Sequence, residues 1–261
     1  MNNKNSWGDE LYLVVGAAGN LGPVWCKALL EKGASVLGIG LNCSNDSNIQ
    51  ALLSDYPDNF KTFEADITQT LPERLVETLV EIPLSGVVMN SGIDSVPGSG
   101  KSKITDYSFN EWVRMLTVNV AGVANGINQL IPFLKEESSV VLIGSMYGIV
   151  SPKPTLYSHY MEGMGTVKNP AYGASKAALI AMCKQYATHL APKGIRFNLL
   201  TAGGVAGNQD EEFVHKFINQ VPLGRMGEKV ELTPALLFLL SSDSSYITGH
   251  NLVADGGYTN W

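Results

Sequence analysis

The chain has 261 residues, 45% of them hydrophobic, enough to bury the core of one large α/β domain. Its formal net charge of −6, without any run of Lys or Arg, argues against a nucleic-acid or anionic-membrane surface and favours a small soluble ligand. A polar stretch at 1–10 and the lack of an apolar run of roughly 18 residues point to a cytoplasmic protein without signal peptide or membrane span. Cys26, Cys43 and Cys183 have no metal-like spacing and read as reduced core thiols, so no metal is expected.

In chain order, the apolar run 11–15 reads as a strand that leads straight into Gly16-Ala17-Ala18-Gly19-Asn20-Leu21-Gly22 and an amphipathic stretch at 24–31. Small residues in such a turn let backbone N–H groups approach a pyrophosphate at a helix N-terminus, although an ordinary strand-to-helix loop has the same composition. A second strand, 35–39, continues as Gly40-Leu41-Asn42. An acidic residue for the adenosine ribose of a dinucleotide is expected about 20 residues beyond the turn. Gly40 stands there, and no Arg or Lys is near to meet a 2′-phosphate, so NAD is slightly favoured over NADP, with Asn42 or Asp46 left for the ribose.

Strands follow at 60–65 and 86–89 with a helix at 71–80 between them, then a helix over 109–134 and a strand at 140–143. Residues 151–168 carry no regular pattern, and a loop this long in a compact domain is usually functional or disordered. A helix at 171–190, strands at 195–200 and 251–253 and a helix at 230–240 complete the series. Strands alternating with crossover helices imply a single-domain, Rossmann-like, doubly wound parallel sheet with helices on both faces.

The helix at 171–190 carries Tyr172 and Lys176. Among the ten tyrosines of the chain, only Tyr172 has a lysine four residues later. At that spacing a phenol and an ammonium share one helix face, and a nearby positive charge favours phenolate. The pair could move a proton to or from a substrate oxygen; it could equally be a lysine stem lying over a ring.

Taken together, these residues resemble the short-chain dehydrogenase/reductase family. Gly16, Gly19 and Gly22, with Asn20 and Leu21 between them, resemble its cofactor turn, and Asp66-Ile67 its adenine-contacting pair. Asn90-Ser91-Gly92 is similar to the family's Asn-Ala-Gly segment, and Asn119 falls where the family keeps a helix-interrupting asparagine. Ser145 resembles the catalytic serine, and Tyr172 with Lys176 the signature pair. The resemblance implies an NAD(P)-dependent oxidoreductase of a secondary alcohol or carbonyl. Tyr172 is then the general acid or base; Lys176 lowers its pKa and binds the nicotinamide ribose; Ser145 holds the substrate oxygen; Asn119 binds a water of a proton relay; and Val205 offers backbone groups to the nicotinamide. It also implies a homodimer or homotetramer.

The chain departs from the family pattern in three places. Ser145 and Tyr172 lie 27 positions apart (172 − 145), and the extra length is the loop 151–168. Tyr157 would shorten that spacing, but Met161 stands where its lysine should be. Ala202-Gly203-Gly204 replaces the usual Pro-Gly, which leaves the turn less rigid, and Gly207 stands in for a Thr that often touches cofactor. The insertion, with Tyr157, His159, Tyr160, Met161, Glu162 and Met164, is expected to shape the substrate pocket or merely to pack, and 207–220 to form the other wall as a lid. His159 itself reads as a surface residue. The long insertion and the terminal Asp255-Gly256-Gly257-Tyr258 also resemble a subgroup associated with flagellin and surface-glycan sugars, implying a sugar or nucleotide-sugar substrate. A 3-oxoacyl thioester reductase and a non-catalytic dinucleotide-binding protein are the alternatives.

Overall fold

In the computed structural model of the chain, residues 7–94, 103–159 and 168–261 are described. Seven strands alternate with eight α-helices along these segments. They are β1 (Leu11–Val15), β2 (Ser35–Gly40), β3 (Phe60–Glu64), β4 (Leu84–Met89), β5 (Leu134–Ser145), β6 (Arg196–Ala202) and β7 (Asn251–Ala254). The helices are α1 (Gly22–Glu31), α2 (Ser47–Asp55), α3 (Glu73–Glu81), α4 (Phe109–Leu116), α5 (Val123–Leu130), α6 (Pro170–Leu190), α7 (Glu211–Ile218) and α8 (Thr233–Leu240). All strands are parallel, in the order β3-β2-β1-β4-β5-β6-β7.

Strand alternation sorts the apolar residues into two cores. Leu11, Leu13 and Val15 of β1 face one side of the sheet, where Leu75 and Leu79 of α3, Ile127 of α5 and Leu179 of α6 cover them. Tyr12 and Val14 face the other side, packed with Trp25 and Leu29 of α1, Ile49 of α2 and Leu236 of α8. The expected doubly wound sheet is therefore the one observed, and its order reverses between β1 and β4. Open α/β sheets bind ligands outside the carboxyl ends of their strands at such a reversal.

Two elements depart from the sequence expectation. The helix predicted over 109–134 is interrupted by a π turn at Thr117–Gly122, and its last residue already belongs to β5. A π turn shifts the hydrogen-bond ladder by one residue, which an apolar period does not record. Helix α2 was not anticipated; Asp46 caps it, accepting from the backbone N–H groups of Asn48 and Ile49, both at 3.0 Å.

A third, smaller core lies beyond the ends of β5 and β6. There Tyr147, Leu156 and Tyr157 meet Phe213 and Phe217 of α7 and Tyr258 near the C-terminus. The Tyr157 and Phe213 rings are 5.6 Å apart, and the Tyr147 and Tyr157 hydroxyls 3.0 Å. The described part of the insertion is thus packed directly against the segment expected to act as a lid.

Candidate active site

The glycine turn is built around a close crossing of chains. Gly16 has φ +81°, and a Cβ there would lie 2.8 Å from the Ser91 backbone nitrogen. A Cβ on Gly22 would lie 2.2 Å from the Ala17 carbonyl oxygen, so the helix can start this close to the turn only with glycine. Asn90 ties the crossing together: its Nδ2 donates to the Gly16 carbonyl at 2.9 Å, and its Oδ1 accepts from Trp25 Nε1 at 2.9 Å. We predict that Gly16→Ala weakens dinucleotide binding at least about tenfold, since it imposes both strain and a backbone clash. Unchanged affinity for NAD and NADP by calorimetry would contradict this role for the turn.

Above the turn opens a cavity of about 610 Å³, within the usual range for a small-ligand site. Gly16, Gly19, Asn20 and Leu21 line it together with Asp66, Ile67, Asn90, Ser91 and Gly92. Ser145, Tyr172, Lys176 and Val205 line the same cavity. The sequence candidates converge there from the turn, from the segments after β3 and β4, from the end of β5 and from α6.

Four candidates fall outside the lining. Gly22 acts through packing beneath the turn, as above. Asn42 is exposed, with φ +64°, and the cavity wall beyond β2 is made instead by Gly40 and Leu41. Asp46 is turned away because its carboxylate caps α2. Asn119 is fully buried in the π turn, behind the cavity. Its Oδ1 accepts from the Ile93 N–H at 2.8 Å, and its Nδ2 donates to the Ile93 carbonyl at 2.9 Å and to Ser175 Oγ at 3.0 Å. The side chain is therefore a bracket for the segment after β4.

The electrostatics differ from the simple picture of a lysine that acidifies a tyrosine. Burial pushes the Tyr172 phenol up to about 12; the Asp94 carboxylate adds to the rise, and a hydrogen bond from Ser145 opposes it. Burial also draws Lys176 down to about 8, against the pull of Asp94. Lys176 Nζ donates to the Ile143 carbonyl at 3.1 Å and lies 5.9 Å from the centre of the Tyr172 ring. Desolvation governs both groups, the lowering expected from Lys176 is not among the influences on the phenol, and the phenol holds its proton at neutral pH.

The turn after β6 is firmer than its sequence implied. Gly203 lies against the Asp255 backbone and Gly204 under the Phe217 ring, with no room for a Cβ on either, so packing supplies what proline would have fixed. Exposed Gly207 lies off the cavity, whereas Gln209 lines it and donates to the Val205 carbonyl at 3.0 Å. Arg114 of α4 and Asp94 also line the cavity without having been singled out. Arg114 falls on the predicted helix, but only the fold says which face meets the cavity. His159 is largely buried, its Nε2 2.9 Å from Asp210 Oδ1, so it joins the insertion to the start of α7 and is no free surface residue. Tyr160, Met161, Glu162 and Met164 lie outside the described residues.

The residues fit a dinucleotide. The turn closes on a helix N-terminus, its crossing excludes any side chain at Gly16, and the buried Ser91 hydroxyl makes no hydrogen bond among the described residues.

Comparisons with known proteins agree with this geometry. A family profile described as enoyl-(acyl carrier protein) reductase matches residues 16–259. The chain is 32% identical over 253 residues to the 3-alpha-(or 20-beta)-hydroxysteroid dehydrogenase of Mycobacterium tuberculosis, covering 95% of this chain and 88% of that protein. It is 26% identical over 259 residues to a 3-oxoacyl-[acyl-carrier-protein] reductase of Thermotoga maritima, covering 95% and 97%. Among solved structures, a short chain dehydrogenase from Leptospira borgpetersenii with bound NAD+ superposes with a TM-score of 0.82 at 27% identity, over 99% of this chain and 96% of that one. The chain belongs to the short-chain dehydrogenase/reductase family and is an NAD(P)-dependent oxidoreductase acting on CH–OH groups.

Proposed function

We propose that this protein interconverts a ring-borne secondary alcohol and its ketone, with a sugar or nucleotide-sugar as substrate and NAD as the preferred cofactor. The observation that carries the proposal is the convergence of Ser145, Tyr172 and Lys176 on the same cavity that the glycine turn lines. The nicotinamide supplies the hydride chemistry. Tyr172, protonated at neutral pH, gives its proton to the carbonyl oxygen in reduction and takes it back in oxidation. Ser145 holds the same oxygen and shares its developing charge, and Lys176 holds the ribose. Asn119 keeps the Ile93 segment in place, so a relay water near it would be held by main chain, since its side-chain amide is engaged.

The NAD preference rests on the wall beyond β2, where Gly40 and Leu41 offer no cation to a 2′-phosphate. The sugar reading rests on the aromatic and hydroxyl character of Tyr147, Tyr157 and Tyr258, the buried cluster against which Tyr172 packs. Single-domain organisation, a closing motion of 207–220 and a homo-oligomer are part of the same reading; the exposed Phe109 of α4 supports the last.

A second reading, a bulky apolar alcohol or an acyl thioester, is favoured by the packed rings of Phe213 and Phe217 and by the names of the relatives above. The test is a panel of nucleotide-sugars, hydroxysteroids and 3-oxoacyl thioesters, read by nicotinamide absorbance with each cofactor. We expect kcat/KM for a nucleotide-sugar with NAD to exceed the others at least about tenfold, a difference of 1.4 kcal/mol. A steroid or acyl thioester at the head of the panel would overturn the sugar assignment.

A further inference from the structure

A second lysine stands over the proposed acid. Lys168, at the end of the insertion, has its Nζ 4.9 Å from the centre of the Tyr172 ring and 5.3 Å from that of Tyr147. The same Nζ is 2.6 Å from Asp94 Oδ2, although the two residues are 74 positions apart in sequence. Lys168 keeps only 9% of its side chain exposed, against 38% for Asp94, so the pair is shielded on the side facing the rings. Asp94 lines the reaction cavity directly, following the Ile93 peptide that Asn119 grips on both sides. The carboxylate is therefore placed by the scaffold, and the ammonium is brought to it by the insertion.

We propose that Asp94 and Lys168 form a charge couple that sets how readily Tyr172 gives up its proton, with Lys168 as a positioning residue carried by the insertion. This rests on the reading of Tyr172 as the proton-transfer group. A carboxylate beside a phenol disfavours phenolate, and a cation favours it. Held 2.6 Å from the carboxylate, the Lys168 ammonium opposes the rise that Asp94 adds to that of burial, while the Ser145 hydrogen bond lowers the phenol. Tyr157 and Tyr147 are the other titratable groups that face it. Asp94 acts also on Lys176, favouring its charged form, so the couple balances both members of the signature pair. Any movement of the insertion that parts Lys168 from Asp94 would change the acidity of the site. The loop that borders the substrate is in this way wired to the proton donor.

The test uses full-length protein carrying tyrosine labelled with carbon-13 at Cζ, with the Tyr172 resonance assigned by its absence in Tyr172→Phe. The phenolate fraction is read at a fixed alkaline pH below the phenol's midpoint. Asp94→Asn should raise that fraction about tenfold and Lys168→Met should lower it about tenfold, one unit in opposite directions. The double variant should return close to wild type, and Lys168→Arg should leave the fraction nearly unchanged. A tether with no electrostatic role would move both single variants the same way, or neither, and either result overturns the proposal. The readout needs no substrate. If Tyr172→Phe kept turnover, the proton-transfer reading would fail on its own; if it lost turnover while the titrations stayed put, only the charge couple would fail.

Discussion

Tyr172→Phe lowers kcat by ~10²–10⁴-fold while leaving dinucleotide affinity within about twofold of wild type, the range expected for removal of one positioned proton donor. The substitution deletes an oxygen and little else. Tyr172 sits on the first turn of α6, fixed by the Asn169 cap, whose Oδ1 accepts from the Ala171 N–H at 2.9 Å. The ring stays in place and the hydroxyl faces Ser145. The glycine turn and Asn90 are held by their own hydrogen bonds, Asn90 to the Gly16 carbonyl and Trp25 to Asn90. Steady-state kinetics on the best substrate of the panel, with cofactor binding followed by fluorescence, separates the two effects. Loss of binding in parallel with turnover would show that Tyr172 is structural.

The second large effect concerns Lys176, whose replacement by Met should cost about 10²-fold or more in turnover and yet stabilise the fold at neutral pH. Lys176 is buried, and burial draws its ammonium from the ordinary 10.5 down to about 8. The sign follows from proton binding. Below about pH 8 both folded and unfolded chains hold the proton, and the folded state bears the full cost of a buried charge. Between about 8 and 10.5 the unfolded chain keeps a proton that the folded one has released, so stability rises with pH across that window. Lys176→Met removes this dependence. Its advantage is greatest near neutrality and shrinks toward the upper end of the window, with Tm at pH 7 higher by about 3 °C for roughly 1 kcal/mol in a domain of this size. A lower Tm with an unchanged pH slope would show that the Ile143 hydrogen bond outweighs the buried charge.

The arrangement of strands was readable because parallel strands covered on both faces are continuous apolar runs, as in Val140 to Ile143, and their alternation with helices dictates the winding. What escaped was set by neighbours distant in sequence. Helix α2 has a weak apolar pattern and is held by the Asp46 cap, a residue that had been considered for ribose binding. The π turn at Asn119 leaves the apolar period of 109–134 intact while moving that side chain behind the cavity. The spacing of Tyr172 and Lys176 identified the pair, but spacing carries no information on desolvation, which is the dominant influence on both. Lys168 carried no signal in the sequence beyond ending the insertion, and only the fold sets it against Asp94. The candidate side chains that line the cavity from regular elements, Ser145, Tyr172 and Lys176, were therefore legible, whereas the charges beside them, Asp94 and Lys168, come from loops.

The insertion consequently does more than lengthen the path between Ser145 and Tyr172. Its beginning packs Tyr157 against Phe213, His159 meets Asp210 at the start of α7, and its end places Lys168 over the Tyr172 ring. The described ends of one segment thereby touch α7 and the Tyr172 ring.

The most direct test of hydride transfer at this site is deuterium delivery from reduced nicotinamide labelled at C4. With the leading ketone of the panel, wild-type protein should place the label on the carbinol carbon of the product, and Tyr172→Phe, saturated with the same cofactor, should do so ~10²–10⁴-fold more slowly. Full saturation of the wild-type protein with no deuterium leaving the cofactor for any ketone of the panel would contradict the account and leave a protein that binds dinucleotide without using it.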